Sequence, residues 1–308
     1  LAFAQAMLPA YSAIDAYHMT ACTIDEAVRR ILAVGGDLEH IGGVDNFCWP
    51  GIQFHPEKNP DGKFKAAQLV RSCRALKDIC LAYGIPLLSG KDSMYVDGHL
   101  PGAYGETHKI SALESIQFSA ISVVPDIAKC VSMDAKNPGD SVYVLGLTRN
   151  ELGASEYYEH FGYTGMNVPQ VRPDEFLPQY RALQQIVEKE LAASVHAVCR
   201  GGLAVHLAMV CMGGNLGMEI DLNRVPVENA EREDMILFSE SAGRFILTVS
   251  PENKESLEKF LEGLPFACIG SVCAEPELLV KGKADSPIIR QDVQKLKSAW
   301  KKAFGDLI

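Results

Sequence analysis

The sequence lacks the patterns that several common classes of protein require. Its nine cysteines include no Cys-x-x-Cys pair, which excludes zinc-ribbon and ferredoxin-type metal sites. No apolar run approaches the 18–20 residues that a transmembrane helix needs, so we expect no membrane partner. Basic residues are in deficit, 29 against 39 acidic ones, which argues against a nucleic-acid-binding surface. A local basic pocket for a phosphorylated small molecule remains compatible with this charge.

The unpaired thiols are typical of a reducing compartment, and we expect a cytoplasmic location. The chain starts at Leu1, without an initiator methionine or a cationic secretory segment. We therefore expect it to be a piece of a longer protein.

A phosphate-binding P-loop is also missing, although "GIPLLSGKDSMYVD" at residues 84–97 suggests one. A P-loop has four residues between its first glycine and the Gly-Lys pair, and Ser or Thr follows the lysine. Here five residues separate Gly84 from Gly90, and Asp92 follows Lys91. The spacing excludes a P-loop.

The same stretch still contains the groups of a ligand site. Gly90 lets a backbone approach a ligand, and Lys91 can neutralise a phosphate. Asp92 can hold a cation or orient the lysine, and Ser93 can donate a hydrogen bond. The alternative is an exposed strand end whose Lys-Asp pair is merely solvated.

What is present is an alternation of strands and helices, typical of α+β or α/β mixed sheets. Apolar periodicity predicts helices over residues 17–34 and 64–83, and residues 85–90 are predicted as a buried strand. A Pro-, Asp-, Lys- and Gly-rich stretch then predicts a boundary between domains at 1–127 and 128–308.

Two further segments have polar or glycine residues where a core would be expected. In "GGVDNFCWP", Asp45 and Asn46 end an apolar run. Such polar residues predict a contact with a cation or another ligand, or alternatively only a turn. In "VCRGGLAVHLAMV", Gly201 and Gly202 precede a helix and could form an anion site, although Gly-Gly before a helix is common.

Taken in order, several segments resemble one family. "IDAYHMTACTIDEAVRRILAVGGD", "VDNFCWP", "LLSGKDSM", "LGASEYY", "RGGLAVHLAMV" and "LFSESAGRF" are similar to the C-terminal half of phosphoribosylformylglycinamidine synthase, in the aminoimidazole ribonucleotide synthetase-like superfamily. The resemblance runs from about residue 11 to the end of the sequence.

This resemblance implies a two-domain half, in which a barrel-forming αβ domain precedes a mixed α/β domain. It implies a ligase that converts formylglycinamide ribonucleotide, ATP and ammonia into the amidine, ADP and phosphate in purine biosynthesis, with Mg²⁺. An N-terminal synthetase half and a glutaminase domain or subunit would be the partners. We expect the isolated chain to be inactive, and its exposed sheet edges could favour a homodimer.

The resemblance also assigns site residues. Asp45 matches an aspartate at the nucleotide, and Gly90, Lys91 and Ser93 match positions that contact nucleotide, metal and substrate across the interface between halves. Gly201 and Gly202 are the further predicted nucleotide-binding residues, and Glu26 and Asp92 are the predicted metal ligands. No catalytic residue is expected in this chain.

The departures from the family pattern concern a second, auxiliary nucleotide site. Arg30 stands where the family has a metal-binding asparagine. In "HAVCRGGL", Ala197, Cys199 and Arg200 replace Asp, Ser and Asp. Because Mg²⁺ prefers oxygen ligands, we hypothesise that this nucleotide site has decayed.

Two alternatives stay open. One is a non-catalytic scaffold that only completes the barrel and its interface. The other is a different ATP-dependent synthetase of the same fold.

Overall fold

A computed structural model describes residues 1–302, and two sheets with packed helices organise this part of the chain. Its first six strands are Ala2–Met7 (β1), Ile41–Cys48 (β2), Leu87–Ser93 (β3), Asp97–Pro101 (β4), Thr107–Ser111 (β5) and Ser115–Ser122 (β6). The helices among them are Ala16–Leu32 (α1) and Gly62–Tyr83 (α2). Four strands form a sheet in the order β1-β6-β2-β3, and β4 pairs with β5 as a hairpin.

The later strands form a second, seven-stranded mixed sheet in the order β15-β14-β10-β13-β7-β12-β9, with β8 and β11 paired separately. The strands are Ser141–Leu145 (β7), Thr148–Arg149 (β8), Ser194–Ala197 (β9), Gly217–Asp221 (β10), Val227–Glu228 (β11), Phe245–Val249 (β12), Phe266–Cys273 (β13), Glu277–Lys281 (β14) and Pro287–Asp292 (β15). The helices are Glu156–His160 (α3), Pro173–Glu188 (α4), Gly202–Gly214 (α5), Glu233–Phe238 (α6), Lys254–Leu261 (α7) and Val293–Lys302 (α8).

The predicted class of mixed α and β layers is confirmed. The predicted boundary after residue 127 falls between the two sheets, but one hydrophobic core includes residues from both, such as Ile31 of α1 and Ile186 of α4. The division into domains therefore stays a prediction. Within residues 1–302, no helix combines the length and apolarity needed to cross a membrane.

Helix α1 covers one face of the four-stranded sheet. The Asp15 carboxylate begins the helix by accepting hydrogen bonds from the amides of Tyr17 (2.7 Å) and His18 (3.1 Å). On β1 the alternate residues Ala2, Ala4 and Ala6 are buried beneath it. Their small side chains allow a close approach of helix and sheet.

The opposite face of this sheet is uncovered in the part of the chain that the structure describes. Phe3 and Met7 of β1 are 67% and 44% exposed, because they point away from α1. Leu88 of β3 is 61% exposed on the edge strand. Large apolar side chains on an uncovered sheet face with two free edges are typical of an interaction surface.

The prediction that residues 85–90 form a buried strand was wrong. Leu87 and Leu88 are exposed, as is nearly all of β3. The run is apolar, but β3 is an edge strand with only β2 beside it, so neighbouring strands bury little of it. The strand also continues through Lys91 to Ser93, and no helix follows it, which agrees with the exclusion of a P-loop.

A buried ion pair on α1 joins the two parts of the chain. The Arg29 Nε donates to Asp25 Oδ2 at 2.6 Å, and neither side chain is more than 3% exposed. Hydroxyls of Tyr83 on α2 and Tyr180 on α4 donate to Asp25 Oδ1. The Arg29 guanidinium also donates to the carbonyl of Val198, directly after β9. This network fixes α1, α2, α4 and the loop before α5 relative to one another.

Replacing Arg29 tests the importance of this network. Arg29→Met should lower the free energy of unfolding by about 3–5 kcal/mol, because it leaves a buried carboxylate without its counter-ion. Urea denaturation followed by circular dichroism measures the change. The control is Lys259→Met, which removes an i,i+4 pair with Glu255 on the exposed face of α7. It should change stability by less than about 0.5 kcal/mol, and equal effects of the two variants would contradict the prediction.

Candidate functional site

Strands β2 and β3 bring three predicted site residues together. They run parallel, and the register places Asp45 beside Gly90. Asp45 is 8% exposed, and a Cβ atom added to Gly90 would lie 2.8 Å from Asp45 Oδ1. Any side chain at residue 90 would therefore collide with the carboxylate. Burial raises the pKa of Asp45, and the charge of nearby Asp92 raises it further.

The predicted residues are divided between two faces of the sheet. Asp45, Gly90 and Asp92 share the helix-covered face, because aligned residues of paired strands point the same way. Lys91 and Ser93 lie on the uncovered face, where Lys91 Nζ donates to Ser93 Oγ at 2.8 Å. Asn46 is aligned with Lys91, and its Oδ1 is buried without a hydrogen-bond partner among residues 1–302.

This pair of strands fits a divalent cation that arrives with a phosphate. Mg²⁺ commonly takes one or two protein carboxylates and completes its shell with phosphate oxygens and water. Asp45 and Asp92 supply the carboxylates, and Gly90 leaves the Asp45 oxygens unobstructed. A site made by this chain alone is not present in residues 1–302, where no group of three or more His, Cys, Asp or Glu side chains could hold a metal ion.

The predicted anion site at the start of α5 is filled by the protein itself. The Glu240 carboxylate accepts hydrogen bonds from the amides of Gly201 (2.8 Å) and Glu156 (2.9 Å), and from the Tyr11 hydroxyl. Glu240 is 3% exposed, and burial raises its pKa. An acidic side chain thus takes the place that a bound anion would occupy.

The two glycines at this point serve the chain's own packing. Gly201 and Gly202 have φ angles of +92° and +71°. A Cβ on Gly202 would lie 2.7 Å from the backbone of Phe238. These requirements account for both glycines without a ligand. Their prediction as nucleotide-binding residues has no support in the geometry.

The predicted metal ligand Glu26 has a different partner. Its Oε1 lies 2.5 Å from Arg30 Nη2, in an i,i+4 pair on α1. Arg200 is paired with Glu156 at 2.7 Å. The arginines that depart from the family pattern therefore neutralise local carboxylates. The residues present here do not fit Mg²⁺, since a guanidinium offers no lone pair to a metal.

A buried histidine, His206, and a half-buried one, His196, support the loop before α5. The Cys199 amide donates to His206 Nε2 at 2.9 Å, so the ring proton is on Nδ1. His206 Nδ1 lies 2.8 Å from His196 Nε2 and donates to it. Burial lowers the pKa of His206 to about 3 and that of His196 to about 4. Both rings are therefore neutral packing groups near neutral pH.

Sequence reasoning missed Glu240 as the occupant of the α5 N-terminus. The residue lies in "LFSESAGRF", about forty positions from the glycines that it contacts, and no spacing rule links them. Its only signal was a carboxylate among small residues in a segment that is otherwise buried.

Comparison with known proteins finds one family along this chain. Residues 137–283 match the family described as AIR synthase related protein, C-terminal domain. The phosphoribosylformylglycinamidine synthase subunit PurL of Thermococcus sibiricus is 29% identical over 301 residues, which are 97% of this chain and 39% of the relative. The same subunit of Methanocaldococcus jannaschii is 30% identical, covering 97% and 38%.

A solved structure shows the same fold. The structure described as Thermotoga maritima PurL complexed with FGAR has a TM-score of 0.71 at 21% identity, over 96% of this chain and 45% of that one. This chain is similar to the PurL subunit along 97% of its length. The resemblance seen in the sequence is confirmed, and the chain spans less than two fifths of the length of these curated relatives.

The histidine pair predicts a pH-dependent stability. Both folded pKa values lie below the unfolded value of about 6.5, so acid favours the unfolded chain. The free energy of unfolding should fall as the pH drops from about 6.5 to about 4, by up to about 1.4 kcal/mol per pH unit for each ring.

Urea denaturation at several pH values measures this slope. His206→Gln keeps an acceptor for the Cys199 amide but cannot be protonated, so it should reduce the slope. The control His99→Gln, at an exposed position in β4, should leave it unchanged. An identical slope in wild type and His206→Gln would contradict the assignment.

Proposed function

We propose that this chain is the C-terminal half of a formylglycinamidine ribonucleotide synthetase and serves an active site that an N-terminal synthetase half completes. The reaction converts formylglycinamide ribonucleotide, ATP and ammonia into the amidine, ADP and phosphate. Support comes from homology to PurL along 97% of the chain, together with relatives more than twice as long. The isolated chain is then inactive.

The observation that carries this proposal is the position of Lys91 and Ser93. Both lie on the uncovered face of the edge strand β3, beside exposed Leu88. They face the space that a partner would fill, so a site between two halves can use them. A lysine that served only this chain's own core would have more partners within the chain. Among residues 1–302, the hydrogen bonds of the Lys91 side chain go to Ser93 Oγ and the Asp92 carbonyl alone.

Each residue then has a role that follows from its chemistry. Lys91 supplies a positive charge to a phosphate, and Ser93 holds the lysine or donates to a phosphate oxygen. Asp92 and Asp45 lie on the opposite face of the sheet, so the cation and nucleotide contacts predicted for them are separate from the phosphate contact at Lys91. Gly90 leaves room beside the Asp45 carboxylate. When bound, Mg²⁺ would offset the negative charge of the transferred phosphoryl group.

Two other structures of related proteins suggest the ligands and partners. Related Thermotoga maritima structures are described as PurL complexed with ATP and as PurLQS. By analogy, ATP is the nucleotide, and a glutaminase domain or subunit supplies the ammonia. A cytoplasmic location and a homodimer of the isolated chain, formed through the free edges of β1 and β3, belong to the same proposal.

The scaffold alternative has one specific observation in its favour. Glu240 accepts from the Gly201 amide at the α5 N-terminus, and Arg30 neutralises Glu26. The amide and the carboxylate that an auxiliary nucleotide and its metal would need are therefore already paired. A half without a nucleotide of its own need do no more than complete the barrel. The two functions differ in whether Lys91 and Ser93 affect turnover.

Substitution of Lys91 separates them. In the enzyme reconstituted with the N-terminal half, Lys91→Ala should lower turnover tenfold or more, which corresponds to about 1.4 kcal/mol of lost transition-state stabilisation. Ser93→Ala should also lower turnover. Steady-state release of ADP measures the rate.

The control is Lys77→Ala. Lys77 is 72% exposed on α2 and is distant in sequence from every proposed site residue. It should leave turnover unchanged. Unaltered turnover in both Lys91→Ala and Ser93→Ala would reject the proposed role and favour the scaffold.

A further inference from the structure

A polar cavity of about 530 Å³ lies beside the first turn of α1, between that turn and the segments around β8 and the start of α4. The charged and titratable side chains on which its binding properties depend are His18, Arg149, Glu151, Arg172, Glu175 and Glu228. It shares no lining residue with the β2–β3 site, so its role is separate from the proposed function.

Glu151 lines this cavity and has one carboxylate oxygen without a hydrogen-bond partner in the described residues. The side chain is 5% exposed, and its Oε1 accepts hydrogen bonds from Arg172 Nη1 (3.2 Å) and the Gln170 amide (3.3 Å). Its Oε2 is buried and has no hydrogen-bond partner in the described chain. A buried carboxylate oxygen without a donor is unfavourable, which indicates that a donor comes from outside the chain.

His18 presents a second unused atom. Its Nδ1 is buried and also lacks a partner within residues 1–302. The ring lies on the first turn of α1, whereas Glu151 follows β8, so two lining residues from different elements each carry an unsatisfied atom. The neighbouring Asp15 adds no free charge, because Arg71 is paired with its carboxylate.

The remaining charges leave the cavity negative. Arg149 donates to Glu175 and Glu228, each at 2.6 Å, and Arg172 contacts Glu151. Three carboxylates thus face two guanidinium groups, with one negative charge left over. A single positive charge on a ligand would balance it.

We propose that this cavity binds a small molecule with one primary ammonium group and a second hydrogen-bonding group. The ammonium donates to Glu151 Oε2, and the second group bonds His18 Nδ1. A neutral molecule would leave the negative charge unbalanced. A bare metal ion is disfavoured, because no set of three or more metal-ligating side chains occurs in the described residues.

Titration with ethanolamine hydrochloride tests this proposal on the full 308-residue chain. Ring resonances of His18, assigned with His18→Phe, are followed by NMR near neutral pH, with sodium chloride at equal ionic strength as the baseline. We expect a saturable shift. Glu151→Gln should weaken binding by about tenfold or more, because a charge-assisted hydrogen bond is lost.

The matched control is Glu175→Gln, which removes the same charge from the same cavity but leaves Glu151 Oε2 intact. It should weaken binding by less than about fivefold, since Glu175 is half exposed. Equal losses in the two variants would show that only net charge matters and would overturn the assignment of Glu151.

Two other results would also overturn the proposal. One is the absence of any shift beyond the sodium chloride baseline. The other is equally tight binding of ethylene glycol, which has the same size and no charge. If circular dichroism shows that Glu151→Gln does not fold, the His18→Phe variant is used to test the site instead. Calorimetric titration should then show weaker ethanolamine binding than in the wild type, and unchanged binding would contradict the site.

Discussion

The buried pair of Arg29 and Asp25 is the constraint on which the rest of the structure depends. Two tyrosine hydroxyls on other helices satisfy Asp25, and the arginine reaches the carbonyl of Val198 beyond the second sheet's edge strand. Because a buried charge must keep its partners, α1 cannot shift without disturbing α2, α4 and the loop before α5. The next residue of α1, Arg30, is paired with Glu26 at the same i,i+4 spacing.

This arrangement explains how one chain can have one site closed and another open. Around α5, arginines neutralise carboxylates and Glu240 occupies the helix N-terminus, so no cation or phosphate is needed for stability. On β2 and β3 the opposite holds. Within residues 1–302, Asp45 and Asp92 lie near each other and neither forms an ion pair, and Lys91 lies on an uncovered face. Such unbalanced charges are what a shared site would leave in one half when its sister is absent.

The sequence predicted the helices α1 and α2, the mixed sheets and the relation to the synthetase family, because these depend on local periodicity and ordered motifs. It could not predict that β3 is exposed, since an apolar run looks the same in a central strand and at an edge that a partner covers. Nor could it pair Glu240 with Gly201, or set Asp45 against Gly90, because both contacts depend on tertiary register. Asn46 was noticed as a polar residue, but only the register places it beside Lys91.

We propose that a sister half completes the uncovered sheet face and its edges. Hydrogen exchange of the isolated chain, before and after mixing with the N-terminal synthetase half, measures this. Amides in β1 and β3, where each strand has one unpaired edge, should exchange more slowly after mixing. Slower exchange confined to the other edge strands, β9 and β15, with β1 and β3 unchanged, would contradict it.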